Sequence, residues 1–263
     1  MPRTATLREQ YLDAMGIPVW ALRDATDPEP AAGEVQSVGA SDPKPADGEA
    51  QSVGAGRTVS KEGARTPGAP GTPEHERAID WSELKEAVRT CTRCALHRGR
   101  TQTVFGVGSQ TADLLIIGEA PGAEEDRRGE PFVGRAGQLL NAMLAAIHLA
   151  REDVYIANIL KCRPPNNRDP KSDEAATCTP YLQRQIDLLR PRVILALGRI
   201  AAQWLLQSNA PIGRLRGRTF EFGDGATPLV VSYHPAYLLR SPLAKSKSWE
   251  DLKLVKRLLR TPE

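Results

Sequence analysis

The sequence predicts an α/β fold, a three-layer αβα sandwich with a mostly parallel central sheet, and two observations carry that expectation. Four short apolar runs, Leu114–Ile117, Val154–Ile159, Val193–Leu197 and Leu229–Ser232, suit strands buried on both faces. Between them stand segments with apolar residues at helical spacing, Ala136–Leu149, Ser172–Leu189 and Ile200–Leu206. Such alternation gives parallel strands joined by helical crossovers that cover both faces of the sheet.

Composition sets the outer limits. With 40% apolar and 25% charged residues in 263, the chain can bury one good core. No apolar run approaches bilayer-spanning length and the start lacks the apolar stretch of a secretory leader, so the expectation is a soluble, cytoplasmic protein with no membrane partner.

In chain order, residues 1–24 carry Leu7, Tyr11, Leu12, Met15, Val19, Trp20 and Leu22 and read as a short amphipathic helix, broken near Gly16 and Pro18. Such a helix docks on the main domain or binds a partner. Residues 25–76 are rich in Ala, Gly, Pro, Ser and Glu, nearly lack aromatics, and repeat Gln-Ser-Val-Gly-Ala at 36–40 and 51–55. A segment of this kind cannot bury enough apolar surface to offset its ordering entropy and is expected to be a disordered linker. Charge divides at the same boundary: seven Lys/Arg against eleven Asp/Glu in residues 1–74, and twenty-eight against twenty-one in 75–263. The +7 balance of the second part suits a polyanionic partner.

The folded domain, residues 77–263, is expected to open with a helix from about Asp80, with Ser82 as its cap and Leu84, Ala87 and Val88 facing inward. That helix leads to Cys91-Thr92-Arg93-Cys94. A more polar strand is expected near Thr219–Phe222.

The centre of the chain is Leu114–Leu144, read as strand, loop and helix. Functional groups in such sheets gather at the carboxyl ends of strands. Here the chain turns through Gly118-Glu119-Ala120-Pro121-Gly122, then carries Glu124, Glu125 and Asp126 before Pro131-Phe132-Val133-Gly134. Phe132 has no periodic apolar face to join and offers a flat stacking surface. Asn158 ends the next strand at the same sheet edge; its amide offers the acceptor and donors that would complement a nucleobase edge, or it caps a turn. His234 follows the last buried strand and is either a structural histidine beside Pro235 or a functional one.

All four cysteines are accounted for by Cys91, Cys94, Cys162 and Cys178. A C-x-x-C pair joined to two widely spaced single cysteines leaves an iron–sulfur cluster, a zinc site and unrelated structural thiols all open. A thioredoxin-like βαβ context for redox chemistry is missing.

Three stretches carry a resemblance. GEAPGAEEDRRGEPFVGRAGQLL, beginning at Gly118, resembles the first active-site motif of the family 4 uracil-DNA glycosylases. The run from Asn158 to Arg168, NILKCRPPNNR, resembles that family's second cysteine segment. HPAYLLR, from His234 to Arg240, resembles its H-P-S-Y-L-L-R motif, departing in having Ala236 where serine is usual. The resemblance covers the chain from about Leu84 to its C-terminus.

What it implies is specific. The fold would be uracil-DNA glycosylase-like, and the activity hydrolysis of the N-glycosidic bond of uracil in DNA, single- or double-stranded, by base flipping in base-excision repair. Cys91, Cys94, Cys162 and Cys178 would hold one structural [4Fe-4S] cluster, with no nucleotide cofactor and no catalytic metal. Phe132 would stack on the uracil, Asn158 would read its edge, and His234 would stabilise the departing anion. The Gly118–Gly122 turn, with Ala120, would line the base site. Leu238 and Leu239 would fill the gap in the DNA stack while Arg240 holds a phosphate. Glu119 is the first candidate for positioning water and Glu125 the second; the glutamate matching Glu125 is associated in the family with the wall that excludes the thymine methyl. The protein is expected to be a monomer, with residues 1–24 available to a repair or replication partner. The alternative is a superfamily member that traps uracil-DNA without turnover, but such relatives resemble GEQPG where this chain has Ala120, and carry a basic insertion missing between Asn158 and Asp169.

Overall fold

Alternation inside each apolar run divides the side chains between two separate cores. Leu115, Ile117, Ile194, Ala196, Leu229 and Val231 point into one, whereas Leu114, Ile116, Val193, Leu195 and Val230 point into the other. A sheet covered on both faces is the structural consequence.

A computed structural model describes residues 80–223 and 226–260. Its strands are β1 Val107–Gly108, β2 Leu114–Gly118, β3 Tyr155–Asn158, β4 Val193–Leu197, β5 Thr219–Phe222 and β6 Thr227–Ser232, arranged in the order β1-β3-β2-β4-β6-β5. The four inner strands are parallel and the two edge strands antiparallel. Helices α1 Trp81–Arg89, α4 Ser172–Leu189, α5 Arg199–Leu205 and α6 Ile212–Leu215 contribute to the first core; α3 Arg135–Ala146, α7 Pro235–Arg240 and α8 Lys245–Arg260 cover the other face. The three-layer αβα sandwich is therefore present.

Several boundaries differ from expectation, each for a local reason. Asp80, not Ser82, caps α1: its carboxylate accepts from the Ser82 and Glu83 amides while Glu83 returns to the Asp80 amide. The three acids after Gly122 belong to a short helix, α2 Ala123–Arg128, which Gly129 ends in the left-handed conformation. Helix α8 was not expected, although Trp249, Leu252, Val255 and Leu259 recur at helical spacing along it. The expected helix over residues 1–24 and linker over 25–76 lie outside the described residues.

The chain runs from β2 outward to β3, then returns to the other side of β2 to make β4. The order thus reverses beside β2, and the loops leaving β2 and β4 diverge there. An open α/β sheet forms its ligand crevice at such a point.

Candidate active site

A cavity of about 470 Å³ opens at that point, lined by Glu119, Ala120, Gly122, Glu125, Phe132 and Ala136 from the β2–α3 segment, by Asn158, Asn167 and Asp169 after β3, and by His234, Ala236, Tyr237 and Arg240 at α7. The volume suits a small organic ligand. Three loops distant in sequence thereby meet in one place.

The β2–β3 ladder sets the first pair of groups. Asn158 stands opposite Gly118, and the pairing continues past both strands through Ile159 N–H to the Gly118 carbonyl (3.0 Å) and Leu160 N–H to the Glu119 carbonyl (3.1 Å). A Cβ on Gly118 would lie 2.4 Å from Asn158 Oδ1 and 2.8 Å from the Phe132 ring. Glycine is what lets amide and ring approach the same strand end.

Phe132 departs from the sequence reading. Its ring is buried in the α3-side core, so it does join an apolar face, and it stacks on the His234 ring with centroids 5.4 Å apart and planes 29° from parallel. Its backbone is left-handed, φ 52°, an uncommon state for an aromatic residue that persists only when its surroundings enforce it. They do: Arg151 donates to the Pro131 and Phe132 carbonyls, and Glu125 Oε1 accepts from the Val133 amide (2.9 Å) and the Gly134 amide (3.1 Å). Glu125, the second water candidate, thus has one carboxylate oxygen committed to bracing the Phe132 loop while it forms part of the cavity wall.

His234 is fixed as the N-cap of α7. Its Nδ1 accepts from the Ala236 amide at 3.1 Å, which leaves the proton of the neutral ring on Nε2. Burial, helped by Arg240 and opposed by Glu125, lowers its pKa to about 4. The imidazole is therefore an uncharged donor at neutral pH. Gly198, at φ 97° after β4, keeps the backbone close: a Cβ there would stand 3.1 Å from that of His234.

Glu119 leaves β2 at the cavity's other wall. Burial and the nearby Asp169 carboxylate push its pKa up to about 7, against the opposing pull of Arg199. Asp169 and Arg199 pair at 3.0 Å. Sequence reasoning assigned no role to Asn167, Asp169, Arg199 or Tyr237. Asn167 lies within the NILKCRPPNNR run, whereas Arg199 is the first residue of α5, which none of the motifs reaches.

The expected wedge divides. Leu238 is 1% exposed, packed in the core with α3 and α8, so it is not presented to DNA; Leu239 and Tyr237 stand 37% and 40% exposed. Positions one apart on a helix face different directions, which separates Leu238 from Leu239. Arg240 is exposed on the cavity rim.

A second cavity collects all four cysteines, Cys91 and Cys94 from the end of α1, Cys162 after β3 and Cys178 on α4. None forms a disulfide. Cationic and N–H donors face the sulfurs: Arg100 Nη1 lies 3.1 Å from Cys162 Sγ and the Lys161 amide 3.3 Å from Cys178 Sγ. Among the described residues, no three His, Cys, Asp or Glu side chains are placed to hold a single metal ion. Tetrahedral zinc would draw its thiolates to within about 2.3 Å of one point.

The family model of the Uracil DNA glycosylase superfamily matches residues 105–253, more than half of the chain and the whole of the sheet's cavity-bearing edge. The fold and site thus define a member of that superfamily. A type-4 uracil-DNA glycosylase of Archaeoglobus fulgidus is 43% identical over 182 residues, covering 67% of this chain and 92% of the relative. One from Sulfurisphaera tokodaii is 40% identical over 188 residues, covering 69% and 86%. A type-5 uracil-DNA glycosylase of Pyrobaculum aerophilum is 29% identical over 153 residues, covering 50% and 64%. The chain belongs to the type-4 uracil-DNA glycosylase family.

Proposed function

We infer that this protein hydrolyses the N-glycosidic bond of uracil in DNA, leaving an abasic site for repair. The observation that carries the reading is the convergence of Phe132, Asn158 and His234, from three separate loops, on one cavity at the reversal of strand order. A base inside a duplex cannot reach such a cavity, so the nucleotide is extruded into it.

Within the cavity, Phe132 lies against one face of the uracil and Asn158 pairs with its N3–H and O4 edge. Glu125, bracing the loop, supplies part of the wall at the position a thymine methyl would occupy. As the C1′–N1 bond breaks, its electron pair passes to the uracil and negative charge grows at O2. The Nε2–H of neutral His234 stabilises that charge, an effect of about 3 kcal/mol for one preorganised donor. Water adds to C1′ and gives a proton to ionised Glu119. A neutral histidine suits this role because it donates without first having to lose a stronger partner. Outside the cavity, Leu239 fills the vacated stack, and at its rim Arg240 holds a phosphate.

Cys91, Cys94, Cys162 and Cys178 hold one [4Fe-4S] cluster. Four free thiols line one cavity and would supply the cysteine thiolates that hold such a cluster. Arg100 beside Cys162 suits an anionic sulfur set. The bound group is structural, tying α1 to α4 and to the strand end that carries Asn158. The protein acts as a monomer, and its partner is uracil-containing DNA.

The test is incubation of anaerobically prepared protein with a single-uracil oligonucleotide and its thymine counterpart, followed by alkali cleavage at abasic sites and a denaturing gel. Cleavage of the uracil strand alone is expected. Retarded but uncleaved DNA would replace turnover with trapping.

A further inference from the structure

Lys161 lies between the two cavities and is neither a cysteine of the one nor a lining residue of the other. It is 1% exposed, yet carries an ammonium. Its Nζ donates to the Asn158 carbonyl at 2.8 Å and to Gln185 Oε1 at 2.6 Å, and its backbone N–H points to Cys178 Sγ at 3.3 Å. Gln185, on α4, is pinned in turn: its Nε2 donates to the Phe105 carbonyl (3.0 Å) and to the Tyr155 hydroxyl (3.2 Å). Both acceptors of the ammonium are neutral oxygens.

A buried cation held only by neutral groups is costly, and burying one is tolerated where opposite charge lies close. The groups able to supply that charge are the cysteines whose cavity Lys161 lines. Geometry joins the two sites: the Lys161 backbone N–H reaches Cys178 Sγ at 3.3 Å and the next residue is Cys162, while its Nζ holds the Asn158 carbonyl at 2.8 Å. The side chain thus spans from the sulfur set to the main chain of the residue that reads the base.

We propose that Lys161 is a positioning residue for uracil recognition: it ties the Asn158 main chain to the cysteine cavity, so that occupancy of the metal centre sets how firmly the base-reading amide is held. The inference rests on the glycosylase and cluster readings above. Phe132 is placed by Arg151 and Glu125, and His234 by its cap on α7, without contact to Lys161. Loosening Asn158 alone therefore weakens recognition of the base more than stabilisation of its departing anion. That asymmetry separates positioning from a general loss of structure.

The experiment compares wild-type protein with Lys161→Met and Lys161→Met/Gln185→Met, all prepared anaerobically, by iron content, thermal melting, equilibrium dialysis of labelled uracil, and single-turnover rates on saturating uracil-DNA. In Lys161→Met retaining its iron, uracil is expected to bind about tenfold more weakly, equivalent to about 1.4 kcal/mol, with the saturated rate within about threefold. The double variant removes the amide oxygen left without its donor but also frees the Phe105 carbonyl and the Tyr155 hydroxyl, so it is expected to melt no higher than Lys161→Met and to bind uracil no more tightly. Stripping iron from the wild type with a chelator is expected to weaken uracil binding likewise. An unchanged uracil affinity in an iron-replete Lys161→Met protein, or in the stripped wild type, overturns the proposal. Should Lys161→Met not fold, Lys161→Leu, which also removes the donor to the Asn158 carbonyl, carries the same two outcomes. A wild-type protein that releases no uracil, or holds no iron, refutes the underlying readings instead.

Discussion

Acidification below neutrality should silence this enzyme through Glu119. Its carboxyl titrates near pH 7 because the cavity wall withholds water from the charged form and Asp169 repels it, with Arg199 compensating in part. If the ionised form receives the proton of the attacking water, the rate follows the ionised fraction, which is about one half at pH 7 and about one tenth at pH 6. Single-turnover uracil release, measured from about pH 5 to about pH 9, should therefore plateau on the alkaline side and fall tenfold per unit on the acid side. The neighbours give the sign of each shift. Asp169→Asn removes a repelling charge and should move the limb to lower pH, whereas Arg199→Ala removes an attracting one and should move it higher, each by roughly half to one unit. Glu119→Gln should lower the plateau and abolish the limb. His234→Gln should lower the plateau but leave the limb in place, since His234 titrates near 4, well outside this window. A limb that survives unchanged in Glu119→Gln, or that disappears with His234, would refute the assignment.

Other consequences follow from the same geometry. His234→Ala and Asn158→Ala should each cut single-turnover uracil release by about 10²- to 10³-fold with melting temperature nearly unchanged, and full activity in both would remove the site assignment. Leu239→Ala should slow release from duplex DNA more than from single-stranded DNA, whereas Leu238→Ala should cost about 2–5 kcal/mol of stability, read by denaturant unfolding, with no strand preference. Deletion of residues 25–76 should leave the uracil-release rate within about twofold, a loss beyond which would show that the segment contributes to catalysis.

The sheet was legible because its strands are buried on both faces: Val193–Leu197 and Leu114–Ile117 needed only a run of apolar residues to be seen. Helix α8 was legible on the same terms, since Trp249, Leu252, Val255 and Leu259 recur at helical spacing, but it lies beyond the last motif and was not predicted. Asn158 and His234 could be read off because each lies at or just past the carboxyl end of a strand, where topology restricts what a side chain can reach, whereas Phe132, beyond α2, was visible only through the loop motif that carries it. What the sequence concealed were relations across the fold. The Leu238 burial depends on α3 and α8 packing against α7, the Glu119 environment depends on Arg199 arriving from β4, and the Lys161 contacts depend on α4 crossing behind β3. No local pattern in the chain encodes any of these.

Burial has opposite chemical effects at the two ends of the cavity. It keeps His234 neutral and so preserves a donor at Nε2, while it holds Glu119 at the midpoint of its titration near neutral pH. Desolvation disfavours whichever form is charged, so one dry wall yields an uncharged imidazole and a basic carboxylate together. Lys161 obeys the same rule, burial lowering its pKa to about 8 against the opposing influence of Cys178, and its donors are met by the Asn158 carbonyl and Gln185. A charge kept at that cost beside the base-reading strand end is more readily understood as positional than as a contribution to net stability. Replacing Lys161 by methionine should then weaken uracil binding in protein that keeps its fold and its iron; an affinity that falls only in step with melting temperature across the variants would show that only packing was at stake.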